Sequence, residues 1–500
     1  MSNIDELYKE LSTFMPGDRV TQDEAIRNSY ATDISSAPGT AGLPPIVVLP
    51  ENAEEVKEIL KACNSHKVPV IGMGRGSNIA GIAVPHRNEV MVDMRLMNRI
   101  IEINEDSAYA VIEPGVTFHQ LAQAVKPYNF VVHHPTATGG GSPLANYLMH
   151  PPGNLAAKSD PDPLLSIEFV TPTGEVVRTG SAAFGNEPKS WRSRFGPLPD
   201  LTGLFGCSYG IFGLVTKGAV KLFDQGETSR VVFTAWDSFP PVLEYMKRIV
   251  RRNVADSCTF WNWVWNCFHE LMYSKSPHVT KEVMELVMQD DQKTPPKGMP
   301  FGINSARLSG YTKVVDAQEK ICKELAEELG GRYVERDEMR DKMPGSYDYL
   351  TQYFGDGRHI KPGEEGTMRV AMWLPGFLVT GEPKKMLELE EFMWKFGREH
   401  AKPPHMFRVL PYHEGREFFF AFVILISETL AKEKEYMTHL RNQYAEMYNK
   451  FAKEDGILQL RFRRDHSYFE LTGEYGKLLK RIKDTLDPNG IMHPSMNIFD

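Results

Sequence analysis

The sequence predicts an α+β protein with two domains and a C-terminal segment that returns to the first of them. Five hundred residues exceed one ordinary hydrophobic core, so more than one domain is expected. Short β-branched runs alternate with segments of helical period through the first 225 residues. After Phe223 the composition shifts, and most of the tryptophans and methionines lie in residues 226–450. We therefore expect domains at residues 1–225 and 226–450, followed by a tail at 451–500.

The composition excludes several classes of function. Hydrophobic residues make up 42% of the chain and charged residues 24%, which is typical of a soluble globular protein. The net charge of -8 argues against a nucleic-acid-binding surface. The five cysteines are scattered without a Cys-x-x-Cys pair, which argues against a cysteine-ligated zinc or iron–sulfur site. The sequence has no apolar signal core and no stretch of about eighteen apolar residues, so we expect a cytoplasmic protein without a membrane span.

The first elements are predicted to form a β-α-β unit. Residues 44–50 read as a short strand, and residues 51–66 place apolar side chains at helical spacing. The β-branched run Val68–Ile71 then reads as a buried strand. This unit extends from about residue 46 to residue 71, and a glycine-rich loop follows it directly.

The glycine-rich loop is a candidate binding site for a phosphate-bearing ligand. Glycine permits positive φ and close approach of the backbone, and consecutive inward N–H groups form an anion-binding nest. An arginine within the loop adds a positive charge. The pattern matches neither G-x-x-x-x-G-K-[ST] nor a G-x-G-x-x-G that opens a helix, so a plain strand-to-loop turn is the alternative. The residues expected to line the site are Gly72, Gly74, Arg75, Gly76, Ser77, Asn78 and Gly81.

Further strands and one capped helix are expected in the rest of the first domain. Thr117 is a plausible N-cap for a helix over 117–126. Strands are expected at 89–93, 99–103, 108–113, 167–171 and 175–180.

Three more segments follow the loop in a set order. They are Glu113–Leu121, Pro135–Ser142 with Asn146, and the glycine-dense Gly206–Val215. Together with the first loop they resemble the FAD-binding domain of the vanillyl-alcohol oxidase and para-cresol methylhydroxylase (PCMH) family. The resemblance covers most of residues 45–225 and returns at Asp487–Pro494. It implies one FAD, a two-part FAD-binding domain of the PCMH type, a mixed α/β cap domain that binds the substrate, and a homodimer.

The resemblance also implies roles for individual residues. Asn146 falls where the family places a small polar residue near the isoalloxazine ring. The segment expected to line the flavin contains Pro135, Thr136, Thr138, Gly139, Gly140 and Ser142. The segment expected to contact the adenosine end contains Gly210, Gly213, Leu214 and Val215.

The middle region is expected to combine a sheet with covering helices. Strands are expected at 230–235, 369–374 and 417–425, and helices at 241–252, 280–288, 315–329, 384–400 and 427–450. The aromatic run Phe260–Phe268 is expected to be core or interface, with stacking on a planar substrate as the less favoured alternative. In the tail we expect a strand at 457–461 and a helix at 473–486 that ends before Pro488.

Catalytic candidates come partly from the resemblance. Arg461 falls where phenol-oxidising members carry an arginine that stabilises the substrate phenolate. The family's two tyrosines and its flavin-side aspartate are replaced by Ile79, Leu460 and Ala137. Replacements are sought in residues 408–417, where a base or an anion clamp could come from Tyr412, His413, Glu414 and Arg416. The alternative is that this segment is a solvated loop before a strand.

No metal site is expected. His133 and His134 are adjacent, and neighbouring side chains of an extended chain point to opposite sides, so they cannot easily chelate one ion. The G-D-G-N-L-H type of motif found in flavin dehydrogenases for D-2-hydroxy acids is absent, and Gly355-Asp-Gly-Arg-His lacks its second histidine.

The predicted function is transfer of a hydride to flavin N5 from an aromatic or benzylic alcohol or an alkylphenol. A 2-hydroxy acid substrate is the second hypothesis. A third is a flavin-binding subunit that passes electrons within a complex, to a protein acceptor that lies outside this chain because no Cys-x-x-Cys-His haem motif is present.

The flavin is expected to be held without a covalent bond. Asn78 occupies the loop position of a family histidine that can be linked to the flavin, and Phe419 falls at the corresponding position in the cap. Neither residue can form the linkage. A shift of the alignment would bring Tyr412 or His413 to the cap position, and either of them could react.

Overall fold

The structure, a computed structural model, describes residues 3–31, 42–77, 81–134, 139–149, 163–184, 191–195, 198–273, 281–289, 292–353, 370–373, 376–401, 405–427, 434–455, 458–459, 470–496 and 499. These residues form helices and four β-sheets, so the predicted α+β class is confirmed. None of the helices within them is long and apolar enough to cross a membrane.

The N-terminal region alternates short strands and helices. Its strands are β1 (Val20–Thr21), β2 (Val47–Val48), β3 (Val70–Met73), β4 (Val90–Asp93), β5 (Ile100–Asn104), β6 (Tyr109–Ile112), β7 (Phe130–Val131), β8 (Leu164–Val170), β9 (Val176–Arg178), β10 (Leu214–Lys221) and β11 (Phe223–Asp224). Its helices are α1 (Asn3–Phe14), α2 (Glu24–Asn28), α3 (Ala53–His66), α4 (Phe118–Val125), α5 (Pro143–Tyr147) and α6 (Thr202–Phe205).

The first sheet contains the predicted β-α-β unit. Its strand order is β1–β2–β4–β3, and both β2 and β3 run parallel to β4. The connecting helix α3 begins where the Asn52 side chain accepts a hydrogen bond from the Glu55 N–H, and its apolar face is buried. Because β3 and β4 are parallel, their carboxyl ends share one edge, where Met73 pairs with Asp93. The chain leaves this edge into the glycine-rich loop.

The second sheet is antiparallel, with the strand order β5–β6–β10–β8–β9. Helix α4 follows β6 and begins with the predicted cap. The Thr117 hydroxyl accepts from the Gln120 N–H, and the Gln120 side chain accepts from the Thr117 N–H. This cap fixes where α4 starts relative to the glycine-rich segments on either side.

The middle region is built on one large antiparallel sheet. Its strands are β12 (Thr228–Trp236), β13 (Ser257–Asn262), β14 (Gly302–Gly310), β15 (Arg332–Val334), β16 (Val370–Trp373), β17 (Gly376–Thr380), β18 (His405–Tyr412), β19 (Glu417–Ser427) and β20 (Leu458–Gln459). Their order is β15–β12–β14–β13–β18–β19–β17–β20, and β16 also pairs with β19.

Helices cover both faces of this sheet. They are α7 (Phe239–Arg251), α8 (Trp263–Tyr273), α9 (Lys281–Val287), α10 (Thr312–Glu328), α11 (Arg336–Lys342), α12 (Pro344–Tyr353), α13 (Pro383–His400) and α14 (Lys434–Asp455). One face, which we call the α7 face, packs against α7, α10, α13 and α14. The other, the α8 face, carries Phe233, Trp261 and Phe419 and packs against α8, α9, α11 and α12.

Several elements of the middle region differ from the sequence-based predictions. Strands β13, β14, β15, β17 and β18 and helices α8, α11 and α12 were not predicted, and Ser427 ends β19 instead of beginning a helix. Polar residues within buried strands explain the omission, since β14 contains Asn304, Ser305 and Arg307 among apolar residues. Such strands lack the apolar run by which a buried strand is recognised.

The chain leaves the large sheet later than expected. The segment Leu458–Gln459, within the predicted tail, pairs with β17 of the large sheet. Helix α15 (Glu474–Leu486) follows and ends before Pro488, and the Gly490 N–H then donates to the Asp487 carbonyl in a turn. Beyond it, the Val70 N–H donates to Ile491 O and the His493 N–H donates to Val70 O, which attaches the tail to β3.

Hydrogen bonds to Glu89 connect the end of the tail to the first sheet. Its buried carboxylate accepts hydrogen bonds from the N–H groups of His86, Arg87 and Ser495, and from the Ser495 hydroxyl. Burial alone would raise the pKa of Glu89, but these hydrogen bonds, that of Ser495 first, hold it below the ordinary value. The ionised form is therefore stabilised by folding.

We predict that Glu89→Gln lowers the free energy of unfolding by about 2–3 kcal/mol at neutral pH, because buried donors lose their charged acceptor. Glu58→Gln, at an exposed carboxylate on α3, is the matched control and should have little effect. Because the folded pKa of Glu89 is depressed, its contribution is present above the ordinary carboxyl pKa of 4.5 and is lost as the pH falls. Denaturant unfolding of both variants between neutral and acidic pH measures this. A difference from wild type that does not shrink below pH 4.5 would contradict it.

Candidate active site

The glycine-rich loop begins at the carboxyl edge of the first sheet. Arg75, Gly76 and Ser77 are exposed there, and Gly76 has a φ of +67°, in the left-handed region that favours glycine. Gly81 is also described, whereas Asn78 lies outside the described residues. The exposed N–H groups and the guanidinium at this edge suit an anionic ligand.

Gly74 lies where three of the four segments meet. A Cβ atom at this position would lie 3.3 Å from the Pro114 carbonyl oxygen, 3.4 Å from Ala145 Cβ and 3.5 Å from Ser142 Cβ. The neighbouring Gly72 meets the fourth segment, because a Cβ there would lie 2.5 Å from Leu214 Cδ2. Segments far apart in sequence therefore converge around Gly72 and Gly74, where a larger side chain would displace its neighbours.

The glycine triplet is tied to helix α4. The Phe118 N–H donates to Gly141 O at 3.0 Å and the His119 N–H donates to Gly139 O at 2.9 Å. The adjacent Gly140 is exposed. The first residues of this predicted segment, Pro135, Thr136 and Thr138, lie outside the described residues, as does Ala137.

Asn146 supplies a buried polar atom without a protein partner. Helix α5 begins at Ser142, whose hydroxyl accepts from the Ala145 N–H, and Asn146 lies in that helix. Its side-chain carbonyl Oδ1 is buried and has no hydrogen-bond partner among the described residues. A buried acceptor of this kind is costly unless a donor reaches it. The N–H of a bound ligand would satisfy it.

The fourth segment joins the site to the returning tail. The Cys207 N–H donates to Leu148 O just beyond α5, and the His493 ring is hydrogen-bonded to Tyr209 O. A Cβ at Gly210 would have His493 Nδ1 as its nearest neighbour, at 3.8 Å. Gly213 approaches Val170 closely, and Leu214 and Val215 then enter β10 as buried residues.

A charged group that the sequence analysis missed lies at the same edge as the loop. Asp93, at the end of β4, is fully buried and accepts hydrogen bonds from the Tyr30 hydroxyl and the Arg95 N–H, and it forms an ion pair with Arg95 Nε. Burial raises the pKa of Asp93, and the partners oppose that rise. The signal was available, because Asp93 ends a predicted strand that runs parallel to β3.

His133 and His134 are buried and take part in packing. The His133 carbonyl accepts from the Tyr147 hydroxyl, and the His134 ring lies 4.7 Å from the Phe118 ring. Over the described residues, no group of three or more His, Cys, Asp or Glu side chains is arranged to hold a metal ion.

The catalytic candidates of the middle region separate into two places. Tyr412 is buried on the α8 face, at the end of β18. His413 and Arg416 lie in the turn that follows, where His413 Nδ1 is 2.7 Å from Glu417 Oε2 and Arg416 pairs with Glu414 at the surface. Arg251 fixes this turn by donating twice to Gly415 O. Arg461 lies outside the described residues.

The segment 408–417 is therefore not a solvated loop along its whole length. Its first half is strand β18, which pairs with β13 and β19, and only 413–416 form a turn. Pro411 makes this strand difficult to predict from the sequence, because proline is unusual within a sheet.

The aromatic run divides between a strand and a helix. Phe260 and Trp261 belong to β13, and Trp263 begins α8 and donates its indole N–H to Gln292 O. The Trp261 ring lies 4.9 Å from Trp265 and 5.5 Å from Tyr349. These rings pack on one another, which is the core arrangement expected for the run.

Three α8-face residues of β18 and β19 are slightly more exposed than their α7-face neighbours. Arg408, Tyr412 and Phe419 are 8%, 9% and 8% exposed. The residues that alternate with them on the α7 face are fully buried, namely Phe407, Val409, Phe418 and Phe420. The α8 face thus combines aromatic side chains with a buried cation.

Comparison with known proteins identifies the region that contains the first three convergent segments. Residues 44–180 match the model of the FAD binding domain family. This region is an FAD-binding domain. The chain is 27% identical over 497 residues to the flavoprotein subunit of 4-cresol dehydrogenase (hydroxylating) from Pseudomonas putida, covering 92% of this chain and 89% of that one. It is 30% identical over 220 residues to the mitochondrial D-lactate dehydrogenase (cytochrome) of Arabidopsis thaliana, covering 43% of this chain and 37% of that one.

The FAD-binding domain sits within a known overall fold. The crystal structure of p-cresol methylhydroxylase with substrate bound aligns with a TM-score of 0.85 and 20% identity over 100% of this chain and 97% of that one. The predicted family resemblance and fold are thus confirmed. The protein is an FAD-linked oxidoreductase related to p-cresol methylhydroxylase.

The residues present fit FAD. The glycine-lined edge with Arg75 suits the pyrophosphate, and Asn146 Oδ1 suits a ring N–H of the isoalloxazine. Gly210, Gly213, Leu214 and Val215 form the wall on the side of β10. These residues would hold the cofactor through backbone groups and one side-chain acceptor.

We predict that Gly74→Val with Gly76→Val abolishes FAD binding. Valine at 74 would press on the Pro114 carbonyl, and valine at 76 would be strained at its positive φ, so the loop could not keep its shape. Gly17→Val is the matched control, since a Cβ there has no neighbour within 4 Å. The flavin absorbance per protein and the far-ultraviolet circular dichroism are measured together. A folded double variant with one FAD per chain would show that the loop is misplaced.

Proposed function

We propose that this FAD-linked oxidoreductase removes a hydride from an aromatic or benzylic alcohol or an alkylphenol. The observation that carries the proposal is the extent of its similarity to the flavoprotein subunit of 4-cresol dehydrogenase. That similarity spans 89% of the relative and so includes the middle region, whereas the D-lactate dehydrogenase match spans 37% of that relative. We propose residues 1–225 as the FAD domain, 226–450 as the cap domain and 451–500 as the tail, in a cytoplasmic homodimer.

The chemistry of the α8 face supports an aromatic substrate. This face carries Tyr412, Phe419 and Arg408, and apolar surroundings with a few polar groups are the usual form of a small-molecule site. FAD, when bound, accepts the hydride. The protein's part is to hold the substrate carbon in position, to exclude water and to stabilise the deprotonated oxygen.

Arg461 and Tyr412 are the residues we propose for the deprotonated oxygen. Arg461 matches the family arginine that stabilises a phenolate, and Tyr412 carries a hydroxyl on the α8 face. His413 and Arg416 are less suited to contact the substrate, because they lie in the outer turn with Glu417 and Glu414 as partners. An ionised group near the reacting oxygen is worth most in the transition state, where negative charge develops.

A second candidate function is supported by the D-lactate dehydrogenase match, which makes a 2-hydroxy acid the alternative substrate. A third candidate function is that of a flavin-binding subunit that passes electrons to a protein acceptor. It is supported by the cresol relative, which is the flavoprotein subunit of its enzyme.

We expect an alkylphenol or a benzylic alcohol to bleach the flavin band of the purified protein under anaerobic conditions. D-lactate and glycolate test the hydroxy-acid alternative in the same panel. Admission of oxygen then separates an oxidase, which reoxidises its flavin quickly, from a dehydrogenase that needs another acceptor. If only the hydroxy acids reduce the flavin, the aromatic substrate class is wrong.

The variant Arg461→Ala tests the role proposed for Arg461 in flavin reduction. Loss of a charge-assisted contact made in the transition state costs on the order of 3 kcal/mol, or about a hundredfold in the rate of flavin reduction. FAD content and thermal stability should stay close to wild type. An unchanged reduction rate with the true substrate would make Arg461 structural.

We also propose that FAD is held without a covalent bond. Phe419, which is aligned with the flavin-linking position in the cap, has no nucleophilic atom. It lies on the α8 face, two residues from Glu417, and Glu417 pairs with Tyr412 in the sheet. Acid precipitation should therefore release all the flavin into a yellow supernatant. The variants Tyr412→Phe and His413→Ala serve as controls. A protein pellet that stays yellow, and that loses its colour in one of these variants, would identify the covalent anchor.

A further inference from the structure

We propose that Arg95 is a second cation of the FAD site, which binds the diphosphate of the cofactor together with Arg75. Each phosphate of that diphosphate carries a negative charge, and an arginine recognises phosphate oxygens through paired N–H groups. The proposal concerns the cofactor, so it goes beyond the proposed function and is independent of the substrate class.

Arg75 and Arg95 occupy equivalent positions beyond two adjacent strands. Strands β3 and β4 are parallel, and their last residues, Met73 and Asp93, are paired. Each arginine is the second residue after the end of its strand. Neighbouring strands lie about 4.8 Å apart, so the two chain segments leave the same edge of the sheet close together. Sheets with parallel strands bind their ligands beyond the carboxyl ends of the strands.

The backbone of Arg95 also lies against another of the convergent segments. A Cβ at Gly115 would lie 2.5 Å from Arg95 O, and the Gly115 N–H donates to Met97 O at 2.7 Å. The preceding residue is Pro114, whose carbonyl oxygen closely approaches Gly74 of the loop. Arg95 and Gly74 therefore lie against the same dipeptide, which places Arg95 where the segments of the cofactor site meet.

A buried carboxylate holds the Arg95 side chain in position. Asp93 is fully buried, and it accepts from the Arg95 N–H at 3.0 Å and forms an ion pair with Arg95 Nε. The Tyr30 hydroxyl donates to the same carboxylate at 2.8 Å, and the centre of the Tyr30 ring lies 5.8 Å from the guanidinium carbon of Arg95. An arginine that is oriented in advance loses less conformational entropy when an anion binds.

The outer edge of the Arg95 guanidinium is available to a ligand. Its Nε is engaged by Asp93, whereas Nη1 and Nη2 donate to no acceptor within the part of the chain that the structure describes. The side chain is 46% exposed, so a phosphate in solution reaches these two nitrogens without an enclosed pocket. Asp93 offsets part of the charge, so Arg95 supplies directed hydrogen bonds while the exposed Arg75 adds positive charge.

Titration of FAD into the flavin-free full-length protein, followed by flavin fluorescence, tests the proposal without turnover. We expect Arg95→Met to raise the dissociation constant about ten- to a hundredfold, because charge-assisted hydrogen bonds to the diphosphate are lost. Arg95→Lys keeps a cation without the planar fork and should lie between Arg95→Met and wild type. Arg87→Met is the matched control, since it removes an exposed arginine before the other end of β4, and it should bind FAD as wild type does.

Two further measurements separate a contact with the diphosphate from a structural role. Salt screens a cation that meets phosphates, so the dissociation constant of wild type should rise more steeply with sodium chloride than that of Arg95→Met. Calorimetry with ADP, which has the diphosphate but no flavin ring, should show the same loss in Arg95→Met, whereas adenosine should bind wild type and variant equally.

FAD and ADP binding of wild-type strength in Arg95→Met overturns the proposal. Weakened FAD binding with an unchanged salt dependence overturns it as well, because Arg95 would then act only through the fold. If circular dichroism shows that Arg95→Met is unfolded, Arg95→Gln, which can still donate to Asp93, takes its place with the same expected losses.

Discussion

The close approach of four separate chain segments around Gly72 and Gly74 is the constraint on which the cofactor site depends. A Cβ at Gly74 would be tight against the Pro114 carbonyl and in contact with Ala145 and Ser142, which belong to two other segments. Strand β3, which leads into this loop, is bound to the returning tail because the Val70 N–H donates to Ile491 O and Val70 O accepts from the His493 N–H. Residues near the C-terminus thus support the loop that follows the first β-α-β unit.

Burial and charge divide the large sheet into two faces with different tasks. The α7 face buries Phe407, Phe418 and Phe420 fully beneath four helices, and it provides most of the hydrophobic stabilisation of this region. Buried polar residues occur on both faces, since Asn304 and His405 lie on the α7 face. The buried cations Arg307 and Arg408 lie on the α8 face, where Arg408 is surrounded by aromatic rings.

The sequence was most informative where local patterns act over a few residues. The first β-α-β unit, the Thr117 cap and the helix that ends before Pro488 were predicted within a few residues, because caps and periodicity are local properties. The middle region was harder to predict. Strands β14 and β18 contain arginine, asparagine or proline, and they are strands because pairing with neighbours on both sides overrides the local preference.

By itself the sequence determined the cofactor, since the first three of the four segments lie within residues 44–180, which match the FAD-binding family model. It also determined where the loop residues Gly72, Gly74 and Gly76 lie along the chain. Only the tertiary structure decided which cationic side chain of the segment 408–417 is buried within the large sheet. Arg408 and Arg416 are both charged residues of one short segment, and nothing in their sequence spacing separates them. Because β18 pairs with β13, the Arg408 side chain lies on the α8 face next to the indole rings of Trp261 and Trp265. Arg416 lies in the turn after Tyr412 and is exposed. Side-chain direction in a sheet depends on long-range strand pairing, which the local sequence does not specify.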